Sequence, residues 1–190
     1  MRVAVIIPVK SFTVAKGRLS DTLTSEQRQE LAQTCAESVL AAAQSLPTYV
    51  ACSDDNVATW ARSHDAQVVH CPTPGLDAAV AESRLAAQRD GFTHVIVAHA
   101  DLPLAETFEH VAQEGTVSAV SDRHRDGTNV LSFPLNSTFT TAYGPGSFDN
   151  HRQLAVAAGL PFIVIHDENL ELDLDTADDL EELTKRKKHT

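Results

Sequence analysis

Cysteine is scarce in this 190-residue chain: Cys35, Cys52 and Cys71 are the only three, scattered and without a C-x-x-C pair. That argues against a disulfide framework and a zinc site, and makes a reducing cytoplasm the expected compartment. Long apolar runs are absent. The N-terminal "VAVIIPV" is seven residues and contains a proline, too short for a signal-sequence core or a membrane span, so no membrane partner is expected. The first strand is followed by neither G-x-G-x-x-G nor G-x-x-x-x-G-K-[ST], which argues against a dehydrogenase or an ordinary kinase. No G-x-S-x-G elbow or Cys/His pair supports a nucleophilic enzyme. The nine histidines show no metal-ligand spacing, and no repeat, low-complexity run or linker is visible. One domain, residues 1–190, is expected, with 183–190 as a solvated tail.

The chain does have enough apolar residues for a core, 43% hydrophobic against 22% charged. Its formal net charge of -11 repels a phosphate backbone, so no nucleic acid partner is expected. The charge is uneven. Residues 1 to 25 carry Arg2, Lys10, Lys16 and Arg18 against the single acid Asp21, which suits either a small anionic ligand or a solvated loop. Strand-like and helix-like segments alternate. "TSEQRQELAQTCAESVLAAAQSL" reads as a long helix opened by a Thr24/Gln27 capping box. "LAETFEHVAQEG" reads as a helix, "LELDL" as a short strand, and "SFDNHRQLAVAAG" as a helix capped by Ser147. The alternation predicts an α/β fold, a mixed and mostly parallel sheet with helices on both faces. Ligands then sit beyond the carboxyl ends of the strands.

Several segments at those ends carry chemistry. In "PVKSFTVAKGRLS", Lys10, Lys16 and Arg18 suit a triphosphate, lysine as a point charge and arginine as a fork. In "HADLPL", Asp101 suits magnesium, or caps the next helix. In "LELDLDTADDL", Asp173 and Asp175 alternate with leucines and share a face, while Thr176 or Asp175 caps the last helix. "YGPGSFDNH" offers an anion nest, or a capped turn. "SDRHRDGTNVLSF" is longer and more charged than a hairpin turn requires.

These segments, with "SDD" and "PGLDAAV", occur in an order that resembles the phosphoenolpyruvate and 2-phospho-L-lactate guanylyltransferases of coenzyme F-420 biosynthesis. The resemblance runs from residue 3 to about 180. It implies a single-domain nucleotidyltransferase fold of the Rossmann-like, nucleotide-diphospho-sugar transferase type. It also implies transfer of GMP from GTP to the phosphate of a three-carbon phosphocarboxylate, with magnesium as cofactor and pyrophosphate as product. The acceptor expected is phosphoenolpyruvate, with 2-phospho-L-lactate and 3-phosphoglycerate as alternatives. By motif match, Asp101 and Asp175 are the metal ligands, with Asp173 as the alternative second ligand. Lys10, Lys16 and Arg18 fall at the triphosphate loop, where they act in catalysis. Thr128, Gly144 and Ser147 fall at the phosphocarboxylate.

Two positions depart from the family pattern. Asp77 stands where asparagine is frequent, and as a carboxylate it can accept from guanine N1–H and N2–H₂. Gly17 stands where serine or threonine is usual. A homodimer is a further expectation. Two other readings stay open: a guanylyl- or cytidylyltransferase acting on another phosphate, and a nucleotide-binding module without catalysis.

Overall fold

The computed structural model describes residues 1–188. Seven strands form one sheet in the order β3-β2-β1-β4-β6-β5-β7. The first half alternates as expected: β1 (Val3–Pro8), α1 (Ser25–Ala42), β2 (Thr48–Cys52), α2 (Asp55–Ser63), β3 (Gln67–His70), α3 (Leu76–Arg89) and β4 (His94–Ala98). β1 is central, and Ala4, Val5, Ile6 and Ile7 have no exposed surface. The strand's two-residue period divides them between faces. Val5 and Ile7 pack with Ala36 and Val39 of α1 and Val57 of α2. Ala4 and Ile6 pack with Val80 and Ala87 of α3. Burial on both faces explains the unbroken apolar run.

β1 pairs in parallel with β2 on one side and β4 on the other. The chain therefore winds outward to β3 and returns past β1, leaving a crevice at the carboxyl ends of β1 and β4 where ligands bind in such sheets. The second half is less regular. β5 (Val117–Ser121) and β6 (Thr128–Pro134) form an antiparallel hairpin, and β6 also runs antiparallel to β4. After α4 (Ser147–Ala157), β7 (Phe162–Val164) adds in parallel to β5, and α5 (Ala177–Lys187) closes the fold.

Three local expectations are corrected. "LAETFEHVAQEG" forms only a 3-10 turn at Glu109–Val111. Phe108 and Val111 are drawn fully into the core, and the Val111 carbonyl accepts from Ser118 Oγ instead of continuing a helix. "LELDL" is not a strand. Its leucines, Leu170, Leu172 and Leu174, are buried, so the alternation reports burial, while its backbone touches the sheet region through Leu174 N–H to the Asp101 carbonyl (3.0 Å). Ser147 does not cap α4. Gly146, at φ 70°, holds the cap position, and Ser147 is the first helical residue.

The capping box at Thr24 and Gln27 is present, and Thr176 forms a second with Asp179. The chain end is more ordered than a solvated tail: α5 continues to Lys187 and packs Leu183 beside Leu172 and Leu174, while residues 189 and 190 of that segment lie outside the described residues. Among the described residues no helix is long and apolar enough to cross a membrane.

Candidate active site

The loop after β1 turns back over the sheet through Lys16, whose backbone is left-handed (φ 59°). The Lys16 side chain is 5% exposed, and its Nζ lies 3.0 Å from Asp101 Oδ2 and 3.6 Å from Asp175 Oδ1. Arg18 Nη1 reaches the other oxygen of Asp175 at 3.6 Å. Four residues from three separate segments thus converge, and the Lys16 ammonium is shared by two carboxylates. Burial alone raises a carboxyl's pKa, but the adjacent ammonium outweighs it at Asp101, whose pKa lies below the ordinary value. Burial lowers a lysine in the same way, and the two carboxylates more than reverse this at Lys16. Asp101 Oδ1 is buried with no hydrogen-bond partner.

Asp173 differs from its neighbour. Burial and then the nearby Asp101 charge push its pKa up to about 6, and its contact is Asn129 Nδ2 at 3.4 Å. Of the two candidates for a second ligand, Asp175 is the one that shares a cation with Asp101. A cation between them fits the donor set, since hard oxygens are present and one of them lacks a partner. Among the described residues no group of three or more His, Cys, Asp or Glu could hold a metal. A magnesium ion here would therefore complete its shell with phosphates and water.

A cleft of about 650 Å³ opens beside this centre, lined by Lys10 and Lys16, by Cys52 and Cys71 at the ends of β2 and β3, and by Asp101 and Asp175. The size suits a nucleotide. His99 also lines it. Its Nε2 is buried without a partner, as is the Tyr143 hydroxyl, and the two rings lie 5.4 Å apart. The two oxygens of Asp77, the residue expected at the base, lie 3.1 and 3.2 Å from the Tyr143 N–H, and neither Asp77 nor Arg18, Thr128, Gly144 or Ser147 is among the residues lining the cleft.

The DGTN and GPGS segments meet as one unit. Asp122 accepts from the N–H groups of His124, Asp126 and Gly127. A Cβ at Gly127 would stand 2.8 Å from Asp122 Oδ2, so the glycine permits this closure. Asp126 then accepts from Gly146 N–H and, through its carbonyl, from Phe148 N–H. Thr128 and Ser147 come together at 3.3 Å between hydroxyl oxygens, both buried. Gly144 stands in the same loop, at φ 124°. Arg123 of this loop pairs with Asp178 and Asp179 of α5.

Sequence reading missed Asn129, Tyr143 and His151. Each stood inside a quoted motif, Asn129 in DGTN and Tyr143 and His151 at the two ends of "YGPGSFDNH", and His151 also shares the buried face of α4 with Ser147 and Ala155.

The chain thus forms a mixed sheet whose first half is parallel, with a cation–carboxylate centre at the switch between β1 and β4, where ligands bind in such sheets. Solved structures agree on the fold. A Desulfovibrio desulfuricans protein assigned to the nucleotide-diphospho-sugar transferases superposes with a TM-score of 0.80 at 15% identity, covering 100% of this chain and 90% of that one. The 4-diphosphocytidyl-2C-methyl-D-erythritol synthase of Anaerococcus prevotii gives 0.63 at 10% identity, covering 98% of both chains. Sequence narrows the class further. Residues 3–189 match the family described as guanylyl transferase CofC like, and the chain belongs to that family. It is similar to the phosphoenolpyruvate guanylyltransferases of Sphaerobacter thermophilus (30% identity, 96% of this chain and 93% of that protein) and Rubrobacter xylanophilus (32%, 96% and 94%). It is a nucleotidyltransferase.

Proposed function

We propose that this enzyme transfers GMP from GTP to the phosphate of phosphoenolpyruvate and releases pyrophosphate, a step of coenzyme F-420 biosynthesis. The observation that carries the reading is the sharing of one cation by Asp101 and Asp175 beside a nucleotide-sized cleft. The names of the relatives support the donor and acceptor.

The acceptor phosphate is the nucleophile. Its second pKa is near ~6, so it is mostly a dianion at pH 7 and needs no base. One of its oxygens attacks the α-phosphorus of GTP, and the bond from that phosphorus to the bridging oxygen of the β-phosphate breaks. The protein's work is alignment and charge compensation. Lys10 and Lys16 line the cleft and Arg18 stands beside Asp175, which supports the reading that these three meet the triphosphate. Asp101 and Asp175 would hold magnesium, which when bound offsets charge on the departing pyrophosphate. Thr128, Gly144 and Ser147 would hold the phosphocarboxylate.

The test supplies GTP and magnesium with phosphoenolpyruvate, 2-phospho-L-lactate or 3-phosphoglycerate in separate reactions, identifying products by mass. The expected result is guanylylated phosphoenolpyruvate with equimolar pyrophosphate, abolished in a folded Asp101→Ala variant. Turnover of that variant at the normal rate, or a product from another acceptor alone, would refute the reading.

A further inference from the structure

His151 is a polar side chain for which the reaction above has no use, yet it lies at the centre of the DGTN–GPGS unit. It has no exposed surface. Its ring is held edge-on to Tyr143 at 4.8 Å. Both nitrogens are engaged. Nε2 lies 3.0 Å from the backbone nitrogen of Ala142, and Nδ1 lies 3.0 Å from Thr128 Oγ1.

These contacts determine the tautomer. A backbone N–H only donates, so Nε2 must present its lone pair to Ala142. The ring is then neutral with its hydrogen on Nδ1. Burial favours the same state, holding the His151 pKa down to about 4. Nδ1–H therefore donates to Thr128 Oγ1. Ser147 Oγ donates to the same oxygen. A hydroxyl oxygen has two lone pairs and one hydrogen. With both lone pairs of Thr128 taken, its hydrogen is left over, and no acceptor for it is found among the described residues.

We propose that His151 is a positioning residue for the acceptor: by filling a lone pair of Thr128 it commits that hydroxyl to donate, and so selects an oxygen with a free lone pair, as a carboxylate or phosphate supplies, over a donor-only group. The inference rests on the reading that Thr128 touches the phosphocarboxylate. It adds a specificity rule. A carboxylate or phosphate oxygen satisfies the leftover hydrogen, whereas an acceptor offering only a donor at that point leaves two hydrogens facing each other. The same ring pins Ala142 N–H, next to the Tyr143 N–H held by Asp77, so a purely structural role is the rival to exclude.

Substitutions that imitate one end of the imidazole separate these roles. His151→Asn keeps an N–H donor near the Nδ1 position but cannot reach Ala142. His151→Phe keeps the ring volume and neither bond. His151→Gln reaches toward Ala142 and offers nothing at Nδ1, and it replaces Phe where that variant does not fold. Steady-state pyrophosphate release is measured for each, and for Thr128→Val and the double variants, with phosphoenolpyruvate and GTP varied in turn.

Thr128→Val should raise the acceptor KM at least about tenfold, as expected for a lost hydrogen bond to a charged group, with the GTP KM unchanged. His151→Phe, which leaves the Thr128 hydrogen but frees its direction, should also raise the acceptor KM, and should add less than about twofold once Thr128 is Val, because both changes act through the one Thr128 hydrogen bond. His151→Asn should stay within about threefold of the native acceptor KM. Multiplying effects in the double variant, or an Asn variant as impaired as Phe, would overturn the positioning role while leaving Thr128 at the acceptor. An unchanged acceptor KM in Thr128→Val, or no turnover with any of the three acceptors, would overturn the underlying reading as well.

Discussion

Replacing Lys16 by methionine removes the ammonium while keeping most of the stem. In metal-free buffer the variant leaves Asp101, with one oxygen wholly buried, without a cation at contact distance, while Asp175 keeps Arg18 at 3.6 Å. Removing one partner of a buried ion pair destabilises by about 3–5 kcal/mol. Asp101 keeps 24% of its side-chain surface open to the cleft, so the lower end, about 3 kcal/mol, applies at pH 7.5. For a domain of this size that lowers Tm by roughly 6–12 °C.

The pH dependence carries the stronger test. In the native protein Asp101 has a lowered pKa, so its contribution is present above the unfolded value near ~3.9 and is lost as pH falls through the folded value. Lys16 has a raised pKa; its contribution is full below about 10.4 and fades only in alkali. In Lys16→Met burial, the largest influence on Asp101, is opposed only by His99 and a backbone hydrogen bond once the ammonium is gone, so the pKa of Asp101 should rise above the unfolded value. The variant's deficit should then shrink between pH 7.5 and 5 as the carboxyl takes up a proton. Urea denaturation at each pH measures this, and magnesium added to the variant should recover part of the loss. A deficit that is constant over that range would refute the ion-pair reasoning.

Two further predictions concern residues outside this centre. Asp77→Ala should leave the preference for GTP over ATP unchanged, measured as a ratio of kcat/KM values, because Asp77 faces the Tyr143 N–H; loss of guanine preference would return Asp77 to the base. His94 is buried, bonds Ser132 Oγ at 2.8 Å, and has its pKa pushed down to about 4 by burial and by the N-terminal charge. Between about pH 6.5 and 4 the unfolded chain binds this proton and the folded one does not, so stability falls as pH falls. His94→Gln should flatten that slope in urea titrations, and an unchanged slope would refute the assignment.

The N-terminal half was legible because its elements obey single periods. β1 is continuous and apolar since both its faces are covered, and α1 carries both its capping box and its buried positions Cys35, Val39 and Ala42 in local spacing. The segments that misled are those whose burial follows a tertiary surface. Phe108 and Val111 sit where the sheet needs them, with only a 3-10 turn between. Leu170, Leu172 and Leu174 alternate without a strand partner.

The same division holds at the site. Residue type and position after a strand marked Lys16, Asp101 and Asp175 as candidates, because charge is a property of single residues, whereas Thr128 and Ser147 came from the family resemblance. Which carboxylate shares the lysine, where Asp77 points and what directs the Thr128 hydroxyl are relations between segments far apart in the chain. Asp101 and Asp175 are brought together by one backbone bond from Leu174 to Asp101, and Thr128 meets His151 across 23 residues. The sequence alone determined the chemical groups and the class of sheet, through local periodicity and side-chain type. Only the tertiary structure decided their partners, since hydrogen bonds and ion pairs act over a few ångströms of space regardless of separation along the chain.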